Sequence, residues 1–187
     1  MHAASKPIPR TCVMIRRRAA TAVVLFCSVA SCEISPAAAQ VIPDAVAAKG
    51  EAVVLMVHGE GAQVYNCKAG DGGKLAWALR EPVATLIENG KTVGRHYAAS
   101  GPSWELADGS QVSGNIATAT RAPGATPKDV AWLKLDSAKV PSVGTFAGVT
   151  AIQRINTQGG QIEGACDKPG ATLAVSYAAD YVFLRKQ

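Results

Sequence analysis

The sequence predicts an all-β fold, a single-domain antiparallel sandwich or barrel stapled by one disulfide, on three observations. Short apolar or alternating runs recur between Gly, Pro, Asn and Asp at roughly the eight- to twelve-residue spacing of sandwiches and barrels. No long amphipathic run with a helical period interrupts them, which argues against a parallel α/β sheet. Cys67 and Cys166 are the only cysteines in the segment that carries these runs. A length of 187 residues suits one domain, and 48% hydrophobic against 18% charged residues excludes wholesale disorder.

The N-terminal segment reads as an address. Met1 to Val13 is an upstream extension, with Met14 a candidate start. Arg16, Arg17 and Arg18 precede the apolar run Ala19 to Ala30, the layout of a secretory signal spanning 14–39. Two exits compete. Ala37-Ala38-Ala39 before Gln40 suits ordinary cleavage and release, the favoured outcome, while Val29-Ala30-Ser31-Cys32 resembles a lipobox in which Cys32 is lipidated. The expected location is therefore periplasmic or secreted, with a Cys32-anchored lipoprotein as the alternative. Five of the 19 basic and one of the 14 acidic residues precede Gln40. The chain from Gln40 onward thus falls from the full-length +5 to +1, and nucleic-acid binding loses its electrostatic support.

Residues 40–50 read as an exposed lead-in and 51–187 as the β domain. Val53 to Val57 is a continuous apolar strand, broken at Gly59 to Gly61. Ala62 to Cys67 follows with Gln63, Tyr65 and Cys67 on one face. Lys74 to Arg80 alternates, placing Leu75, Trp77 and Leu79 together until Pro82 ends the strand. Asn89-Gly90 and Asp108-Gly109 lie between apolar runs and predict type I′ hairpins. Ala122 to Lys128 is a loop, and Val130 to Leu135 reads as a strand in preference to a short helix. Phe146 to Asn156 and Tyr177 to Leu184 complete the sheet, separated by a Gly- and Pro-rich loop holding Cys166. Neither Cys67 nor Cys166 has a second Cys at metal-ligand spacing, and an oxidising compartment permits them to pair.

Several segments are similar, in order and spacing, to the domain of unknown function 3455 family. They are Gly61 to Cys67, Gly94 to Tyr97, Gly101 to Glu105, Asp108 to Ser110, Gly144 to Gly160 and Tyr177 to Phe183. The resemblance covers roughly Glu51 to Leu184. It implies an exported bacterial or fungal protein and brings no catalytic residues with it.

Site candidates therefore come from chemistry alone. His96, Glu105 and Asp108 offer an imidazole and two carboxylates that could take a divalent metal or do acid–base work if neighbouring strands bring them together. The plainer reading is a histidine hydrogen-bonded to a turn carboxylate, and no cofactor is expected. His58 and Glu60 read as a solvated strand end. Ser103 and Ser110 lack the context of a nucleophile elbow, and Gly144 to Gly148 lacks the Lys-Ser/Thr of a phosphate loop. Arg154 and Asn156 are expected on one strand face, with Gln153 and Thr157 on the other. A guanidinium beside an amide suits a carboxylate or sugar hydroxyls, with Trp77, Trp104 or Tyr97 as a stacking wall. The plainer role for Arg154 is to tie loops through backbone carbonyls. The leading expectation is a small-molecule- or carbohydrate-binding, or structural, envelope module without a transmembrane helix. The alternative is an enzyme on a small extracytoplasmic substrate, metal-assisted through His96.

Overall fold

The computed structural model describes residues 41–187, so the upstream extension, the signal segment and Cys32 lie outside the described residues. Nine strands form: β1 (Glu51–Ala69), β2 (Leu75–Glu88), β3 (Lys91–Ala98), β4 (Pro102–Leu106), β5 (Gln111–Ser113), β6 (Thr120–Ala122), β7 (Trp132–Asp136), β8 (Ala151–Gly159) and β9 (Thr172–Lys186). They make one sheet of order β5-β4-β3-β2-β1-β9-β8-β7-β6 in which every neighbouring pair is antiparallel. The only helical elements among the described residues are three 3-10 turns. The all-β antiparallel class therefore holds.

The sheet bends around one interior without closing into a continuous ladder. Past β5, Gly114 bridges Ser137, Asn115 N donates to Asp136 O at 2.8 Å, and Ala138 N donates to Ser113 O at 2.8 Å. A Cβ on Gly114 would run into the buried Leu135 side chain, a clash that glycine avoids. The result is an open barrel. Its interior packs Leu86, Trp104, Val112, Leu135, Ile152, Tyr181 and Phe183 against the strapping segment that carries Phe146 and Val149.

The main departure from the sequence reading is in β1. Gly59 and Gly61 do not break the strand but lie within its 19 residues. A Cβ on Gly59 would sit 2.7 Å from the Tyr181 ring, and one on Gly61 would run into the Val83 carbonyl. These glycines admit a ring and a neighbouring backbone, the second use of glycine in strands. Pro82 likewise sits inside β2, opposite Gln63, next to the bulge at Arg80 and outside the span that β3 covers, which starts at Ala84. Edge and bulge positions tolerate the missing N–H.

Both hairpins form, with different turns. Asn89 and Gly90 have φ of 50° and 74°, as a type I′ turn requires. At the second, only Gly109 is left-handed (φ 81°), and Gly109 N donates to Leu106 O. That is a type I turn ending in a glycine bulge, with Asp108 Oδ1 accepting from Ser110 N at 2.9 Å. Val130 to Leu135 contributes the strand β7, as preferred.

A second cluster covers the opposite face of the sheet, formed by Trp132, Ala151, Ile155, Val182 and Leu184 under Val46. The lead-in is therefore not simply exposed. A 3-10 turn over Asp44–Val46 docks Val46 at 0% exposure. Gln153, itself buried, donates Nε2–H to Val46 O at 2.5 Å. Removing a buried hydrogen-bond partner costs about 1–3 kcal/mol. Gln153→Ala should lose stability on that scale in chemical denaturation, and hydrogen exchange should rise at the 44–47 amides before the sheet responds.

Candidate functional site

One end of the barrel interior is not filled by core side chains. Alternation along β1, β3, β4, β8 and β9 points Gln63, His96, Trp104, Arg154 and Tyr181 inward. Together they border a cavity of ≈ 650 Å³, also walled by Trp77, Leu79, Val130, Leu133, Leu135 and Ile162. This volume suits a small organic ligand.

Arg154 is its central charge. Nε and Nη2 both donate to Ala131 O, at 3.2 and 2.8 Å, so the expected loop tie exists. No carboxylate lies within 4 Å of the guanidinium among the described residues. Of the acidic residues in the lining, Glu81 is held by Arg80 at 2.5 Å and Glu163 is exposed. The guanidinium therefore retains binding capacity toward the cavity.

His96 is buried and stacks on Trp104, with ring centroids 4.4 Å apart. Its Nδ1 lies 2.9 Å from Ser103 O, a carbonyl that can only accept, so Nδ1 carries the proton and Nε2 is left as an acceptor. Burial, reinforced by the Arg154 charge, lowers its pKa to about 3 against the hydrogen bond to Ser103, which raises it. The ring is neutral at physiological pH. Tyr177 and Tyr181 share a hydrogen bond at 2.9 Å, and burial pushes both phenols well above the usual range.

Gln63 and Trp104, each 1% exposed, border the cavity, but Gln63 Nε2 and Trp104 Nε1 are shielded from it as well as from solvent. In sequence, Gln63 is marked only as an amide in register with Tyr65 and Cys67 on one face of an apolar strand.

The structure regroups the other candidates. Arg154 and Trp104 share the cavity, but Asn156 does not. A bulge between Ile155 and Gln158 places Asn156 at φ 51°, and its Nδ2 donates to Asp180 Oδ2 at 2.8 Å. The expectation of one shared face with Arg154 fails because a bulge breaks the period-2 parity. Asp180 also meets His58 Nδ1 at 2.7 Å, and His58 Nε2 lies 3.6 Å from Glu60, well inside β1 and not at a strand end. Tyr97 neighbours His96 in sequence and so faces the other side. There Arg95 lies over its ring at 4.8 Å, and Tyr97 Oη donates to Glu105 at 3.4 Å.

The trio His96, Glu105 and Asp108 is also separated. His96 pairs across the sheet with Trp104, while Glu105 pairs with Arg95 on the opposite face, at 2.6 Å. Asp108 accepts from Ser110 and Thr145, which hold its carboxyl well below the usual range and tie the hairpin to the strapping loop. Among the described residues no group of three His, Cys, Asp or Glu is placed to hold a metal ion. Among the same residues no helix is long and apolar enough to cross a membrane.

The disulfide joins Cys67 to Cys166, with Cα atoms 5.8 Å apart. It fastens the loop carrying Gln161, Ile162 and Gly164, which borders the cavity. Ala165 bridges Ala76, and Gly170 N donates to Cys67 O at 2.9 Å. A family model described as "Protein of unknown function (DUF3455)" matches residues 47–185. No curated protein and no solved structure matches the chain.

Proposed function

The chain belongs to the DUF3455 family of proteins of unknown function, and from there we propose that it is a small-molecule-binding module of the cell envelope. The observation that carries this reading is the interior cavity of ≈ 650 Å³, walled largely by apolar side chains and bordered by the Arg154 guanidinium, which no carboxylate neutralises. Protein interiors are otherwise close-packed, so a purely structural β module gains nothing from leaving this space beside a charge. Export supports the reading through the disulfide and the basic-then-apolar N-terminal segment, which imply a periplasmic or secreted protein, with lipidation at Cys32 as the alternative. An enzyme working through His96 with Glu105 and Asp108 is not carried forward, because those side chains lie apart.

The neutral dye Nile red tests the cavity. The protein should take up one equivalent with a blue-shifted emission. Ala98 is in the lining, so Ala98→Phe fills space there and should weaken uptake at least about tenfold, since excluding an apolar group from a pocket removes its burial energy. No uptake, or equal uptake by a folded Ala98→Phe variant, overturns the reading.

A further inference from the structure

The polar groups of the cavity specify more than a hydrophobic hole. We propose that the ligand is an organic monocarboxylate with a flat apolar body, its carboxylate seated on Arg154. This deepens the binding reading above and rests on it.

Charge decides the first part. Within the lining, Glu81 is already held by Arg80, and Arg121 and Glu163 are exposed. Arg154 is half-buried and has no carboxylate partner, so the interior carries an uncompensated positive charge. A buried charge is costly alone and is best met by an opposite charge that also hydrogen-bonds.

Donor and acceptor inventory decides the second part. Two guanidinium nitrogens are committed to Ala131 O, which leaves Nη1. Among the described residues, Arg154 is then the one lining cation that is neither paired nor exposed, and it matches a singly charged group with two acceptor oxygens. A phosphate dianion would leave charge uncompensated in an apolar enclosure. His96 Nε2, an acceptor, faces the opposite requirement and would take a hydroxyl from the ligand. The remaining walls, including Trp77, Leu133 and Ile162, are apolar, which suits a ring system and leaves most hydroxyls of a sugar without partners.

Competition against Nile red separates the possibilities with 6-hydroxy-2-naphthoate, its neutral counterpart 6-hydroxy-2-naphthamide, and maltose as probes on the disulfide-intact protein. The naphthoate should displace the dye at least about tenfold more tightly than the amide, the increment expected of a charge-assisted pair in an enclosed site. Arg154→Gln should erase that preference. Because Arg154 also ties the Ala131 carbonyl, Arg154→Lys serves as the second variant. It keeps the positive charge at this position, so the acid should remain preferred over the amide. Equal competition by acid and amide, or displacement by maltose with no effect of the naphthoate, overturns the carboxylate seat while leaving the binding reading intact. Naphthoate preference unchanged in a folded Arg154→Gln variant also overturns it. Failure of Nile red itself to bind removes the parent reading instead.

Discussion

Replacing Cys67 and Cys166 together by serine should lower the unfolding free energy by about 4–5 kcal/mol, the chain-entropy value for a loop of this size. The two residues are 99 apart in sequence. Cross-linking them removes conformations from the unfolded chain, and longer loops lose more. Urea titration of the double variant against the oxidised parent measures the difference. An unchanged midpoint would mean that the bridge contributes nothing to stability. The same variant should also bind Nile red more weakly, because the bridge fastens the loop carrying Ile162 and Gly164 beside the cavity. The 67–77 region and that loop would retain only backbone contacts, such as Cys67 N donating to Ala171 O at 2.8 Å and the Ala76–Ala165 bridge.

Acidification should destabilise the protein well above the carboxylate range, and His96 is the cause. Its pKa is about 3 in the folded chain against 6.5 for an unperturbed imidazole. The folded value is depressed, so below 6.5 the unfolded chain binds a proton that the folded chain refuses. Stability then falls with decreasing pH and is complete only above that value. One proton corresponds to about 1.4 kcal/mol per pH unit, or about 3 kcal/mol lost by pH 4.5. Asp108 and Asp129 are depressed by hydrogen bonds from Ser110 and Thr145 and from Gly159 and Thr126, so their contributions are lost only at lower pH, below the ordinary carboxylate value of 3.8. Denaturation at pH 7, 5.5 and 4.5 isolates the histidine window. His96→Phe keeps a ring against Trp104 and should flatten the slope in that interval; an unchanged slope would show that another group carries it.

Legibility in the sequence followed the range of the physics involved. The hairpin at Asn89-Gly90 was readable because positive φ is a demand made locally, on two residues. The second hairpin was located correctly, but its turn type was not. Asp108 prefers to accept from Ser110 and Thr145, the latter 37 residues away, and does not adopt a left-handed conformation. Gly59 and Gly61 were misread as a break because sequence shows only the missing side chain. What fills the space, the Tyr181 ring and the Val83 carbonyl, comes from other strands.

For the site, Arg154 and Trp104 border the cavity, whereas Asn156 and Tyr97 lie on the other face of the sheet. Tyr97 follows directly from strand parity once His96 is known to point inward, and Asn156 departs from parity at a bulge. Gln63 is visible in sequence only as an amide within an apolar face, and the registers of β1 bring it to the cavity.

By itself, then, the sequence determined the all-β class, the antiparallel order of short runs, the pairing of Cys67 with Cys166 and the family. These depend on side-chain period, on turn chemistry and on counting, all of which operate along the chain. The tertiary structure alone decided that the sheet bends into an open barrel, which side chains meet inside it, and that a cavity bordered by Arg154 remains there. Those outcomes depend on the registers and bulges of nine strands, which fix the face each side chain takes.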